Sequence, residues 1–161
     1  MKVHYLSNTN EWSTPPALYK ELDREFNFTL DPCATKENAK CDNYFTKEDD
    51  GLKQSWDGHI VFMNPPYGRI IGKWVKKAYN ESINGSIVVC LIPARTDTSY
   101  WHKYVFPYAE IRFIKGRVRF GLGLKDAPFP SAVAIFNGNQ KNKWLLDRGW
   151  KQMRFDKGEC Q

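Results

Sequence analysis

A chain of 161 residues with 42% hydrophobic and 26% charged residues has the material for one buried core, and its composition excludes a disordered or fibrous protein. The formal charge of +6 suits an anionic partner without specifying one. Four scattered cysteines (Cys33, Cys41, Cys90, Cys160) and three scattered histidines (His4, His59, His102) show no C-x-x-C pair and no zinc-ligand spacing. A disulfide framework and a bound metal are therefore not expected, and a reduced cytoplasm is the natural compartment.

The chain opens on Met1-Lys2-Val3-His4-Tyr5, which lacks the apolar stretch of a signal peptide. Ser13-Thr14-Pro15-Pro16 reads as a helix start, a hydroxyl N-cap followed by proline at the first helical position, with Leu18, Leu22 and Phe26 as an apolar stripe. Phe28-Thr29-Leu30 is a short strand ending at Asp31-Pro32. Residues 35–57 are polar loop with Tyr44-Phe45 and Leu52 as anchors. Ile60-Val61-Phe62-Met63 is an apolar run expected as a strand buried on both faces, stopping at Asn64-Pro65-Pro66-Tyr67-Gly68. A helix from about Ile70 to Ser82, closed by Asn84-Gly85, leads into a second buried strand from Ser86 to Ile92. The apolar run there, around residues 87–94, is too short to span a bilayer. A helix over Ser99–Val105 follows, then strands at Ile111–Ile114, Arg117–Phe120 and Ser131–Phe136. The pattern predicts one α/β domain over residues 1–161, its sheet mostly parallel with an antiparallel C-terminal hairpin at one edge. The aromatic share of 15% exceeds the needs of one small core, so some rings are expected against flat partners.

In such sheets ligands gather beyond the carboxyl ends of the strands, where Asp31-Pro32, Asn64-Pro65-Pro66-Tyr67 and Pro93-Ala94-Arg95 all fall. An amino group conjugated to a heterocyclic ring is a poor nucleophile, because its lone pair is delocalised. Acceptors aimed at its two N–H bonds favour the tetrahedral geometry it needs to attack a methyl sulfonium. Asn64 offers a side-chain carbonyl and Pro65 a backbone carbonyl. Pro65 and Pro66 stiffen the turn, and Tyr67 offers a face for stacking on a base. A plain strand-ending turn has the same composition, but the buried strand before it and the amphipathic helix after it favour the chemical reading.

The chain resembles the phage-type DNA N-6-adenine methyltransferases, compact relatives of Dam. The matching stretches are Trp12-Ser13-Thr14-Pro15, Leu30-Asp31-Pro32-Cys33-Ala34, Tyr44-Phe45-Thr46, Asp50-Gly51-Leu52 with Trp56, the Asn64–Tyr67 segment, Leu91–Thr98, Gly116-Arg117 and Pro128–Ser131, in the same order over residues 11–136. The resemblance implies a Rossmann-like S-adenosylmethionine-dependent methyltransferase fold, S-adenosylmethionine as donor and double-stranded DNA as substrate; with the residue spacing and the short apolar runs, no metal and no membrane are expected, and the compartment is a bacterial host-cell cytoplasm if the chain is phage or prophage encoded. It implies donor contacts from Thr14, Pro15, Asp31, Pro32, Phe45 and Asp50. The competing readings are helix capping for Thr14, an Asp-Pro turn for Asp31 and a solvated acidic turn for Glu48-Asp49-Asp50. Where larger methyltransferases carry a Gly-rich loop after the first strand, this chain reads Cys33-Ala34-Thr35-Lys36, so donor contacts must come partly from elsewhere.

Arg95, Arg117 and Arg119, with Lys115 and Lys73, are the candidates for phosphate and base contacts, and Phe129 for closing the far face of an extruded base; a core phenylalanine is its alternative. Motifs separated only by short insertions leave residues 35–57, 94–108 and 121–130, or a second copy in a homodimer, to supply recognition; monomer and homodimer both stay open. Other amino groups remain as substrates (cytosine N4, RNA adenine, a protein glutamine), and so does a catalytically silent DNA-binding module.

Overall fold

The computed structural model describes residues 12–121, 126–138 and 151–153. The expectation for the N-terminal pentapeptide lies outside them.

Helix α1 spans Pro16–Phe26, with Pro16 at its first position and Leu18 and Leu22 buried one turn apart. Its cap is Pro15 rather than a hydroxyl residue, and no side chain caps the helix. Pro15 has the extended backbone that a residue before proline adopts, which moves the helix start one residue past the expected place. The helix ends where Asn27 turns left-handed at φ 55° and donates its N–H to Asp23 O. The expected strand at residues 28–30 reduces to a parallel bridge between Leu30 and Val61, and a second bridge joins Asp31 to Tyr44.

Strand β1 (Ile60–Met63), helix α2 (Ile71–Ile83) and strand β2 (Ile87–Pro93) follow as expected. Residues 99–108 are helical, with a wide turn over Trp101–Val105 and a last turn, α3, over Phe106–Tyr108. Strand β3 is Ala109–Ile114, β4 is Ser131–Asn137 and β5 is Lys151–Met153, in the spatial order β1-β2-β4-β3-β5. Segment Arg117–Phe120 is not a strand. Val118 and Phe120 are buried while Arg117 and Arg119 are exposed, so the alternation reflects a loop pinned by its apolar residues. Two backbone bonds hold it, Gly121 N–H to Ser13 O and Ala127 N–H to Val118 O.

The sheet corrects the expectation of a mostly parallel sheet with its hairpin at the edge. β1 pairs with β2 and β3 with β5 in parallel, whereas the longer ladders, β2 with β4 and β3 with β4, are antiparallel. All of this follows from one reversed strand, β4, lying between β2 and β3. Ala132–Phe136 are buried, as expected of a central strand covered on both faces. That apolar run marks centrality; it carries no sign of direction.

The topology sets the site. Because the Leu30 bridge, β1, β2 and β3 point one way, Asp31, Asn64, Ala94-Arg95 and Lys115 leave the sheet at one edge. Reversed β4 enters at that same edge, with Ser131 opposite Pro93, and so brings Phe129 there too. Side chains from α1, α2 and strands β1–β4 form one core, with Trp56 and Trp101 its largest fully buried members.

Candidate functional site at the carboxyl edge of the sheet

Beyond β1 lies a cavity of about 470 Å³, lined among others by Thr14, Asp31, Pro32, Asp50, Asn64, Pro65, Pro66 and Trp74. Its size falls in the range of small-molecule sites, roughly 300–1,000 Å³. Of the residues expected to hold a donor, Thr14, Asp31, Pro32 and Asp50 line it. Pro15 and Phe45 do not. Pro15 sits at the helix start, and the Phe45 backbone braces the wall, donating its N–H to Asp31 O and accepting from Ala34 N–H, both at 3.0 Å.

Asp31 is buried, 5% exposed, and its carboxylate accepts from the backbone N–H groups of Lys40 at 3.1 Å and Cys33 at 3.4 Å. Burial pushes its carboxyl from 3.8 up to about 6, against the opposing pull of those two N–H groups and the Lys40 charge. The Cys33 thiol beside it is driven well above its ordinary value, by burial first and then by the Asp31 charge. Asp50 takes a left-handed backbone at φ 54°, which Asp tolerates better than most residues, and pairs with Lys53 at 3.0 Å. The next residue, Gly51, lies so close to Pro32 O that any side chain there would overlap it, and its own carbonyl accepts from Trp56 Nε1 at 2.9 Å. This close approach joins the Asp31-Pro32 turn to the Asp50 turn.

Asn64 follows the last residue of β1. Its Nδ2 donates to Trp12 O and, at 2.9 Å, to Thr14 Oγ1, while its Oδ1 is buried with no hydrogen-bond partner. A carbonyl oxygen can only accept, so the bond to Trp12 O fixes which end of the amide is nitrogen. The Thr14 hydroxyl thus serves Asn64, and the capping reading for Thr14 fails.

Tyr67 does not line the cavity. It is buried, donates its OH to Leu91 O at 3.3 Å, and meets Phe129 and Phe120 edge to face at 5.5 and 6.1 Å. Trp12 closes the cluster, 5.1 Å from Phe129 and 5.6 Å from Phe120. Burial raises the Tyr67 phenol well above its ordinary range. Phe129 is therefore a packed ring as the structure stands, with the exposed Arg95 guanidinium 5.9 Å above it. Lys115, Arg117, Arg119 and Lys73 are exposed, and Arg119 pairs with Asp126 at 2.8 Å.

The sequence reading missed the role of Trp74 and that of Gly51, which it carried only within the Asp50-Gly51-Leu52 stretch. Trp74 lines the cavity and its Nε1 is buried without a partner, yet its place on the buried face of α2 is that of any core residue. Gly51 stands in a polar loop where nothing in the sequence signals a close approach. Among the described residues no group of acidic, histidine and cysteine side chains is placed to hold a metal, and no helix is long and apolar enough to cross a membrane.

Two curated phage proteins are similar to the chain, both called DNA N-6-adenine-methyltransferase. That of Haemophilus phage HP1 (strain HP1c1) is 32% identical over 111 residues, 67% of this chain and 64% of the relative. That of Escherichia phage T1 is 31% identical over 106 residues, 65% of this chain and 44% of the relative. The matches thus span less than two thirds of the length of either. A family model described as DNA N-6-adenine-methyltransferase (Dam) matches residues 4–155, and with that match over nearly its whole length the chain belongs to the DNA N-6-adenine-methyltransferase (Dam) family.

Proposed function

We propose that the chain transfers the methyl group of S-adenosylmethionine to N6 of an adenine extruded from duplex DNA. The observation that carries this reading is the amide of Asn64, both of whose hydrogens are committed while its oxygen stands partnerless at the end of a buried strand. A buried acceptor without a partner is costly and calls for a reason, and an incoming amino group supplies one. Four strands running one way around a single reversed strand support the Rossmann-like methyltransferase arrangement.

The cavity fits the donor in size and in chemistry: a buried carboxylate at Asp31 suits an ammonium, and the Asp50 carboxylate suits an adenine amine. When bound, the donor supplies an electrophilic methyl sulfonium. Asn64 Oδ1 and the Pro65 carbonyl accept from the target N6 hydrogens and stabilise the positive charge that develops on nitrogen. The proton leaves to solvent after the nitrogen has become cationic, so no strong base is needed. Tyr67 and Phe129 take the faces of the base once they part, and Arg95, Arg117, Arg119 and Lys115 neutralise backbone phosphates.

Labelled-methyl transfer to DNA, RNA and protein in parallel tests the proposal. Label should appear in DNA as N6-methyladenine. Label confined to RNA, to protein or to cytosine N4 overturns it, and DNA affinity without donor binding would point to a silent binding module.

A further inference from the structure

We infer that Thr14 is a positioning residue for Asn64: with the Trp12 carbonyl, it uses both Asn64 amide hydrogens and so keeps the amide oxygen turned toward the substrate amine. The inference rests on the methyl-transfer reading for its kinetic consequence, but the contact itself is independent of that reading.

An asparagine side chain can present either a donor or an acceptor by a half-turn of its amide, and the two ends are nearly the same in shape. Only the acceptor end can receive an N–H from the substrate. Nothing in β1 selects that end, since the strand delivers Asn64 through its backbone alone. The selection comes from residues 12–14, some 50 positions away in sequence. Trp12 O admits only a donor, and Thr14 Oγ1, within a residue 5% exposed, takes the second hydrogen at 2.9 Å. A flipped amide would set its oxygen against the Trp12 carbonyl, two acceptors face to face, and would leave its nitrogen where the substrate donates.

Residues 12–14 are themselves held from the opposite side. Ser13 O accepts from Gly121 N–H at 2.8 Å, and the Trp12 ring packs on Phe120 and Phe129. The chain segment that carries Arg117 and Arg119 is therefore tied through Ser13 to the residues orienting Asn64. Hydroxyl capping would have used Thr14 within its own helix; here it reaches across to another strand's end.

The test compares Thr14→Val, which keeps shape and removes the hydroxyl, with Thr14→Ser, which keeps the hydroxyl. Single-turnover methylation at saturating donor and DNA should fall about tenfold in the valine variant, the scale of one lost hydrogen bond, and recover to within about threefold in the serine variant. Donor affinity measured by calorimetry identifies the rival role: weaker S-adenosylmethionine binding with an unchanged saturated rate makes Thr14 a donor contact and overturns the inference. So does a serine variant as slow as the valine one. Nuclear magnetic resonance of the Asn64 side-chain amide, assigned by its loss in Asn64→Asp, reads the contact without any turnover. Its protons should exchange slowly in the wild type and at least about tenfold faster in Thr14→Val; equal exchange overturns the inference. Should the wild type methylate no DNA, the proposed function fails, and this measurement still decides the contact.

Discussion

Between Asp31 and Asn64 the protein keeps a cavity of about 470 Å³ open, whereas around Tyr67, three residues further along, the rings of Trp12, Phe120 and Phe129 pack together, edge to face except for the tilted Phe120–Phe129 pair, with their centroids 5.1–6.1 Å apart. The open region is walled by turns that backbone bonds join, Asp31 to Asn43 and Phe45, and by the close approach of Gly51 to Pro32 O. The closed region is held by ring packing and a tyrosine hydroxyl. A planar base between two stacking rings needs about 7 Å, twice a van der Waals separation. Under the proposed function the small donor meets a preformed chamber, while the base must part the aromatic side chains, which share one contact surface and can move without breaking the sheet. Asn64 stands where the two regions meet.

Replacing Asn64 by alanine should separate the two regions most sharply. Methyl transfer should fall on the order of a thousandfold, the scale seen when a positioned transition-state partner is removed, with donor affinity within about twofold of wild type. Single-turnover kinetics and calorimetry check the two halves. An equal loss of donor affinity would mean that the chamber depends on Asn64 and that the regions are one site.

The second effect belongs to the open region alone. Asp31 has a folded-state pKa of about 6 against 3.8 unperturbed, so the folded chain holds an extra proton between those values. Its contribution to folding is therefore fully present below about pH 4 and is lost as pH rises through 6. Donor binding should show the opposite trend, because only the ionised carboxylate attracts an ammonium. S-adenosylmethionine affinity should fall as pH drops below about 6, by up to about tenfold per pH unit. Asp31→Asn should raise the thermal midpoint more at pH 7 than at pH 4.5, and should flatten the affinity profile. A wild-type profile flat from pH 5 to 8 would remove Asp31 from the donor's charged end.

Most of the frame was legible in the sequence because buried strands and amphipathic helices announce themselves through period and length: β1, β2 and α2 fall within a residue or two of expectation. The sequence pattern carries no strand direction, so the reversed β4 could not be read from its apolar run. Within the site, Asp31 and Asn64 were legible because both end a strand and both carry polar atoms where the chain turns. Thr14 was legible as a polar residue at a helix start, yet its partner was not, since the bond to Asn64 spans 50 residues and exists only once the edge has assembled. Trp74 and Gly51 were hidden for opposite reasons: one has the spacing of core, the other has no side chain to signal anything.

The smallest effect tests whether the closed region also carries the DNA contacts. Arg119 Nε lies 2.8 Å from Asp126 Oδ1, and both side chains are about half exposed, so the pair contributes under about 1 kcal/mol to stability. Asp126→Asn removes a negative charge beside Arg119 and releases its guanidinium toward a phosphate. Duplex DNA should then bind about two- to fivefold more tightly at low salt, with the gain shrinking as ionic strength rises and the thermal midpoint almost unmoved. Titration of labelled duplex at two salt concentrations measures it. Weaker binding with a lowered midpoint would assign the pair a different duty, holding Ala127 against Val118, and Arg119 would no longer count among the phosphate contacts. Tighter binding with unchanged methylation per bound complex would place the arginine in capture of the duplex and leave the chemistry to Asn64.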